Sequence, residues 1–281
     1  MAKIIGGVTS SHIPAVGNAI ANGLTQEPYW KRFFDGYEPA KAWLRDVAKP
    51  DLVIVVYNDH GLNFFLDKIP TFALGCADIY HNADEGWGLK PVAPFEGDAA
   101  FSWHIAESLV EQEFDLCMCQ EMLVDHGFVN PIRALFGTYE KWPVKAIPLA
   151  VNTVQHPVPT AARCLKLGQA LRKAIESYPE DLRVVVFGTG GMSHQLQGER
   201  AGLINVEFDI ECMEKIAEDP EWMTKFSNAE IMEKAGTEGI ETIMWLVMRG
   251  AVQPNAKLIH KHYHAPISNT GSGVMVLENS L

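Results

Sequence analysis

Two histidines stand where hydrophobic runs of this chain end. Asp51 to Tyr57 reads as a buried strand and delivers Asn58-Asp59-His60; the shorter run Lys3 to Val8 delivers Ser10-Ser11-His12. In an open α/β sheet, ligands bind in the crevice beyond the carboxyl ends of the strands. Two imidazoles brought to that edge point to a metal site, because neutral imidazole is the commonest protein metal ligand. Asp59, beside His60, is a candidate to orient its ring.

A third ligand is suggested by Glu241. The segment 236–249 has a helical period, with Thr237 as its N-cap and Gly250 as its stop. Met244, Trp245 and Met248 follow Glu241 by three, four and seven positions, so the carboxylate lies on an apolar stripe. A buried, unpartnered carboxylate costs roughly several kcal/mol, so it must protonate, pair or bind a metal. A buried salt bridge is the plainer alternative.

A third strand-end histidine follows Val184-Val185-Val186-Phe187-Gly188-Thr189-Gly190-Gly191-Met192-Ser193-His194. Its glycines allow positive φ and close approach of backbone to a ligand. It is no phosphate loop, since no Gly-Lys-Ser/Thr follows, and it lacks the closing glycine of a nucleophile elbow. His126, between Asp125 and Gly127 ahead of a helix, occupies a polar pocket position. His260, His262 and His264 alternate and would share a face of a strand; a surface-facing strand or loop is their simpler reading. His81, His104 and His156 read as structural.

The elements that must position these groups alternate in type. Strands are expected at 3–8, 51–57, 115–120, 144–151, 183–188 and 272–277, and helices at 39–48, 99–113, 128–136, 159–177, 205–217 and 236–249. That alternation predicts an α/β fold: one domain over 1–281, a central mixed sheet flanked by helices, and the metal site at the carboxyl ends of strands. The segment 58–98 is read as a long irregular loop, the kind that is usually functional.

Hydrophobic content of 47% and charged content of 21% supply a large core. The net charge of −12 argues against nucleic acid as a partner. No apolar run is long enough for a bilayer, and no secretory signal is seen. Five cysteines without a C-x-x-C pair read as free thiols in a reducing cytoplasm, with Cys117 and Cys119 expected on opposite faces of a strand.

Five motifs in order carry a family resemblance: Ser10-Ser11-His12-Ile13-Pro14, Tyr57-Asn58-Asp59-His60, Val124-Asp125-His126-Gly127, Gly188 to Gln195, and Glu238-Gly239-Ile240-Glu241. Over nearly its whole length the chain resembles the type II (class III) extradiol ring-cleaving dioxygenases, and within them the beta (catalytic) subunits of protocatechuate 4,5-dioxygenases. The resemblance implies a non-haem Fe(II) held by a 2-His-1-carboxylate triad of His12, His60 and Glu241, the geometry suited to iron oxygen chemistry. It implies His194 as acid/base, His126 near the substrate hydroxyls, and Ser268 and Asn269 against the ring carboxylate. It gives His260, His262 and His264 no role. The implied reaction is O2-dependent cleavage of a catecholic acid in aromatic catabolism. Protocatechuate, opened to 4-carboxy-2-hydroxymuconate semialdehyde, is the expected substrate; gallate and other substituted catechols are alternatives. Because the chain stops at Leu281, soon after Asn269, a separate small helical alpha subunit and an α2β2 heterotetramer are expected. Two rival readings are a zinc-dependent hydrolase and a non-enzymatic binding relative.

Overall fold

A computed structural model describes residues 1–86 and 91–280. Its centre is a sheet in which, among the described residues, eight strands take part. They are β1 (Lys3–Ser10), β2 (Leu52–Tyr57), β3 (Phe72–Gly75), β6 (Cys117–Cys119), β8 (Lys145–Val151), β9 (Arg183–Thr189), β10 (Lys257–Ile267) and β11 (Thr270–Glu278), in the order β10-β11-β1-β9-β2-β8-β3-β6. β1, β9, β2 and β8 run parallel, so their carboxyl ends reach one edge; β11 and β3 flank them antiparallel. The sheet is therefore mixed, as expected. Short strands β4 (Ile79–Asn82), β5 (Phe95–Glu96) and β7 (Leu123–Val124) make a separate ribbon.

The parallel strands are apolar on both faces because both faces are covered. In β2, Leu52, Ile54 and Val56 enter one core while Val53, Val55 and Tyr57 enter the other. The first core is roofed by α4 (Ala99–Glu111), α6 (Ala161–Glu176), α7 (Val206–Glu218), α8 (Asn228–Ala235) and α9 (Ile243–Ala251). The second is covered by α1 (Pro14–Ala21), α2 (Pro28–Asp35), α3 (Glu38–Trp43) and α5 (His126–Phe136). Helix starts are set by local chemistry. Asp98, Thr160 and Asn205 each accept a backbone N–H as N-caps, and Ser227 with Glu230 closes a capping box.

Several expectations are corrected. The helix expected at 39–48 gives way after Trp43 to a wider turn closed by Lys49 N–H to Leu44 O at 2.8 Å. The segment 58–98 is not structureless: β3, β4 and β5 lie in it, with residues 87–90 outside the described part. Cys117 and Cys119 share a face, Sγ to Sγ 3.8 Å, as residues two apart on a strand must. Thr237 caps nothing; its hydroxyl donates to Glu238 Oε2 instead.

Gly250 is not a stop either, since α9 runs through it. It marks the crossing of α9 with α6: a Cβ there would sit 2.3 Å from Leu165 O, and one on Gly168 would sit 2.1 Å from Val247 O. At an ordinary helix position Gly→Ala stabilises by about 1 kcal/mol. Here two backbones would have to separate, and overpacking costs about 1–3 kcal/mol. Gly168→Ala is thus expected to lower the thermal unfolding midpoint. A raised midpoint by calorimetry would show that the crossing is loose.

Candidate metal centre and active-site cleft

At the carboxyl edge of the parallel strands, β1 runs into His12, β2 into Asn58 and His60, and β9 into Gly191 and His194. Glu241 arrives from below, in a tight turn over Glu238–Thr242 that leads into α9. The i, i+3 turn replaces the first turn of the expected helix, yet Glu241 is buried. Gly190 makes the approach possible: its φ is 125°, and a Cβ on it would lie 2.9 Å from Glu241 Cβ. The next residue, Gly191, donates its N–H to Glu241 Oε2 at 2.7 Å.

His12 Nε2 lies 3.2 Å from Glu241 Oε2, and His60 Nε2 lies 4.0 Å from Glu241 Oε1. Each ring is held by its other nitrogen. His12 Nδ1 bonds Thr189 Oγ1 at 3.0 Å; His60 Nδ1 bonds Asp125 Oδ2 at 3.0 Å, and the same oxygen accepts the His60 N–H at 2.8 Å. Outer anchoring of this kind aims the remaining nitrogen at a metal. Two imidazole nitrogens and a carboxylate with fixed outer contacts are a donor set that fits a divalent transition metal.

Asp59 does not orient His60. Its carboxylate accepts the backbone N–H groups of Gly61, Leu62, Asn63 and Phe64, so it shapes the following loop. Asp125 performs the orienting task from the N-cap of α5, where it also accepts Gly127 N–H. The helix expected from 128 starts two residues earlier, at His126, which makes Asp125 its cap; the reach of Asp125 to His60 left no mark in the sequence. Thr189 and Asn58, whose amide donates to Glu241 Oε1 at 3.2 Å, were missed for the same reason.

His194 Nδ1 bonds Met192 O at 2.9 Å, and its Nε2 lies 4.0 Å from Glu241 Oε2. A carbonyl only accepts, so the neutral ring carries its hydrogen on Nδ1 and its lone pair on Nε2. His126 meets Glu85 at Nδ1, and its ring centre is 4.0 Å from that of His60. Nitrogens of His12, His60 and His126 also lie within 4.8 Å of one another. Ser268 and Asn269, with φ of 47° and 58°, form the two-residue turn between β10 and β11; Ser268 lines the cleft, and both are exposed. His260 and His262 pack instead against Gly36, away from these groups. His156, read as structural, borders the cleft.

The cleft over these groups has a volume of about 810 Å³. Its described lining includes Asp84, Glu85, Glu238 and Glu241 but no lysine or arginine. Burial opposes ionisation of Glu241, but His12, then His194 and His60, hold its carboxyl well below the usual range. Burial likewise disfavours a charged His60, but Asp125, then Glu241 and Glu85, outweigh it and raise the ring to about 9. Asp125 is lowered to about 2: burial opposes this, and the His60 charge and hydrogen bond prevail.

The signs give a pH dependence. His60 is raised, so its proton stabilises the metal-free fold below the unfolded value of about 6.5. That contribution is lost as pH rises through about 9. Glu241 is depressed, so its contribution is present above about 4.3 and lost as pH falls. A metal must displace the His60 proton. Its apparent affinity should therefore rise about tenfold per pH unit below about pH 9 and level off above it. Calorimetry in buffers of different ionisation heat should register close to one proton released near neutrality. Release of none would place His60 off the metal.

The fold and donor set define an α/β protein with a candidate metal centre at a strand-end cleft. Residues 6–275 match the family described as the catalytic LigB subunit of aromatic ring-opening dioxygenase, and the chain belongs to that family. It is 47% identical over 197 residues to a gallate dioxygenase of Pseudomonas putida, a match covering 70% of this chain and 58% of that protein. It is 26% identical over 288 residues to a 2,3-dihydroxyphenylpropionate/2,3-dihydroxicinnamic acid 1,2-dioxygenase of Comamonas testosteroni, covering 85% and 87% of the two. An uncharacterized protein from Escherichia coli K12 shares the fold at a TM-score of 0.57 and 11% identity, over 85% of this chain and 91% of that one. Among the described residues no helix is long and apolar enough to cross a membrane.

Proposed function

We propose that the chain performs Fe(II)-dependent extradiol cleavage of a catecholic acid by O2, with His12, His60 and Glu241 holding the metal. The observation that carries this reading is the convergence of two anchored imidazoles on one buried carboxylate, with His194 Nε2 4.0 Å from the same carboxylate. When bound, ferrous iron supplies the redox chemistry that lets triplet dioxygen react with a singlet aromatic diol. His194, with its Nε2 lone pair, accepts a proton from a substrate hydroxyl and returns it during ring opening, a task suited to imidazole. His126 meets the hydroxyls from the α5 side. Asp125 keeps the His60 ring in place, and Gly191 N–H and Asn58 keep Glu241 in place.

Substrate choice lies between protocatechuate, opened to 4-carboxy-2-hydroxymuconate semialdehyde, and gallate, the substrate named for the Pseudomonas putida relative. The ring carboxylate is assigned to Ser268 and Asn269, as the resemblance implies; Ser268 lines the cleft, whose described lining has no lysine or arginine. A small helical alpha subunit in an α2β2 assembly would cover the cleft. Supporting this, Leu196 is 60% exposed and Val154 46% exposed at its wall, an apolar rim of the kind that a partner buries.

The test is anaerobic reconstitution with Fe(II), with and without a candidate alpha chain, followed by oxygen uptake on protocatechuate, gallate and other catechols. Uptake with one or more of these is expected. No uptake with any catechol, with or without the partner, rejects the reading; hydrolysis that persists without oxygen makes the protein a hydrolase.

A further inference from the structure

Glu85 spends both carboxylate oxygens on a single residue. Oε1 meets His126 Nδ1 at 2.5 Å, and Oε2 accepts the His126 backbone N–H at 2.8 Å. The side chain is largely buried, 17% exposed, and borders the cleft. The N–H it takes belongs to the first residue of α5, a donor with no partner inside the helix. Asp125 takes the next one, Gly127 N–H, with Oδ1, and uses Oδ2 on His60. Each of two neighbouring histidine rings thus has its Nδ1 against a carboxylate.

An ionised carboxylate accepts and cannot donate, so in the neutral His126 ring the hydrogen sits on Nδ1 and the lone pair on Nε2. We propose that Glu85 is the positioning residue that fixes His126 in the tautomer able to accept a hydrogen bond from a substrate hydroxyl at Nε2. The assignment rests on the dioxygenase reading for its consequence, but not for its geometry. Glu85 belongs to the segment between β4 and β5, whereas His126 opens α5. The same contact therefore fastens this cleft wall to the helix and sets the ring.

The test uses the full chain carrying Glu85→Gln. The amide keeps the size of the side chain and an acceptor for the backbone N–H. Its NH2 group then faces Nδ1, which favours the opposite tautomer. In metal-free, 15N-histidine-labelled protein, multiple-bond 1H–15N correlations should show Nδ1–H at His126 in the parent and Nε2–H in the variant. In Fe(II)-loaded protein with unchanged iron content, kcat/KM for the preferred catechol should fall by about 10- to 100-fold. An unchanged tautomer, or a changed tautomer with kcat/KM within about twofold of the parent, overturns the assignment. Should the Gln variant not fold, Glu85→Ala reports the same quantities, with a mixed tautomer expected. A parent protein inert toward every catechol would defeat the dioxygenase reading alone, because the tautomer is read without turnover.

Discussion

Glu241→Gln is expected to leave a folded chain that does not retain iron. The fold survives because the amide can be accommodated. Glu241 Oε2 accepts Gly191 N–H, and Oε1 accepts the Asn58 amide. A glutamine can keep its oxygen on Gly191 and turn its NH2 toward Asn58. Asn58 Oδ1 is buried without a hydrogen-bond partner, so rotating that amide supplies the missing acceptor. Metal binding has no such substitute. A neutral amide oxygen is a poor ligand, and even outer-sphere changes cost about 10–100-fold in affinity, so losing an inner ligand should cost more. Iron content after anaerobic desalting, beside circular dichroism, measures both halves. Stoichiometric iron in the variant removes Glu241 from the ligand set. If iron is then lost from His126→Ala, the three clustered histidines hold it instead.

His194→Ala should have the complementary effect: iron and catechol binding persist while kcat falls by about 10²–10⁴-fold, the range for loss of a general acid–base. The backbone is held independently of the ring, by His194 N–H to Ala235 O at 2.8 Å. Among the described residues, the ring's hydrogen bond goes to Met192 O, within its own loop. Steady-state oxygen uptake with a separate catechol-binding titration distinguishes the outcomes. A kcat within tenfold of the parent, with binding intact, would falsify the acid–base assignment. Loss of iron from this variant would make His194 a ligand.

The strand-end histidines were legible because a fully apolar strand reveals where it stops, and the parallel sheet collects such stops at one edge. Glu241 was legible because its neighbours at helical spacing are apolar. Its tight turn was not, since i, i+3 and i, i+4 bonding leave the same stripe. Asp59 and Asp125 illustrate the limit. Each precedes a histidine, and sequence adjacency favoured Asp59 for His60. The loop amides claim Asp59, and the fold brings Asp125 across 65 positions. Glu85 left no signal, because nothing periodic surrounds it. β10 is absent from the expected strands, although a surface strand or loop is the simpler reading of His260, His262 and His264; an edge strand pairs on one side only, so its run is broken by polar residues such as Lys257 and Lys261. Ser268-Asn269 looked like a ligand-contact pair; its backbone shows that it is also the hairpin turn that joins β10 to β11.

The place of β1 has a consequence for how the protein is made. The strand that carries His12 lies between β9 and β11, residues 183–189 and 270–278. At ribosomal speeds of about 5–20 residues per second, β1 waits roughly 10–40 s for its first neighbour and longer for its second. During that interval an apolar strand has two open edges, the state most prone to pair wrongly. β1 emerges well before either of its sheet neighbours, so a truncated or stalled chain will present the histidine without the rest of its binding set.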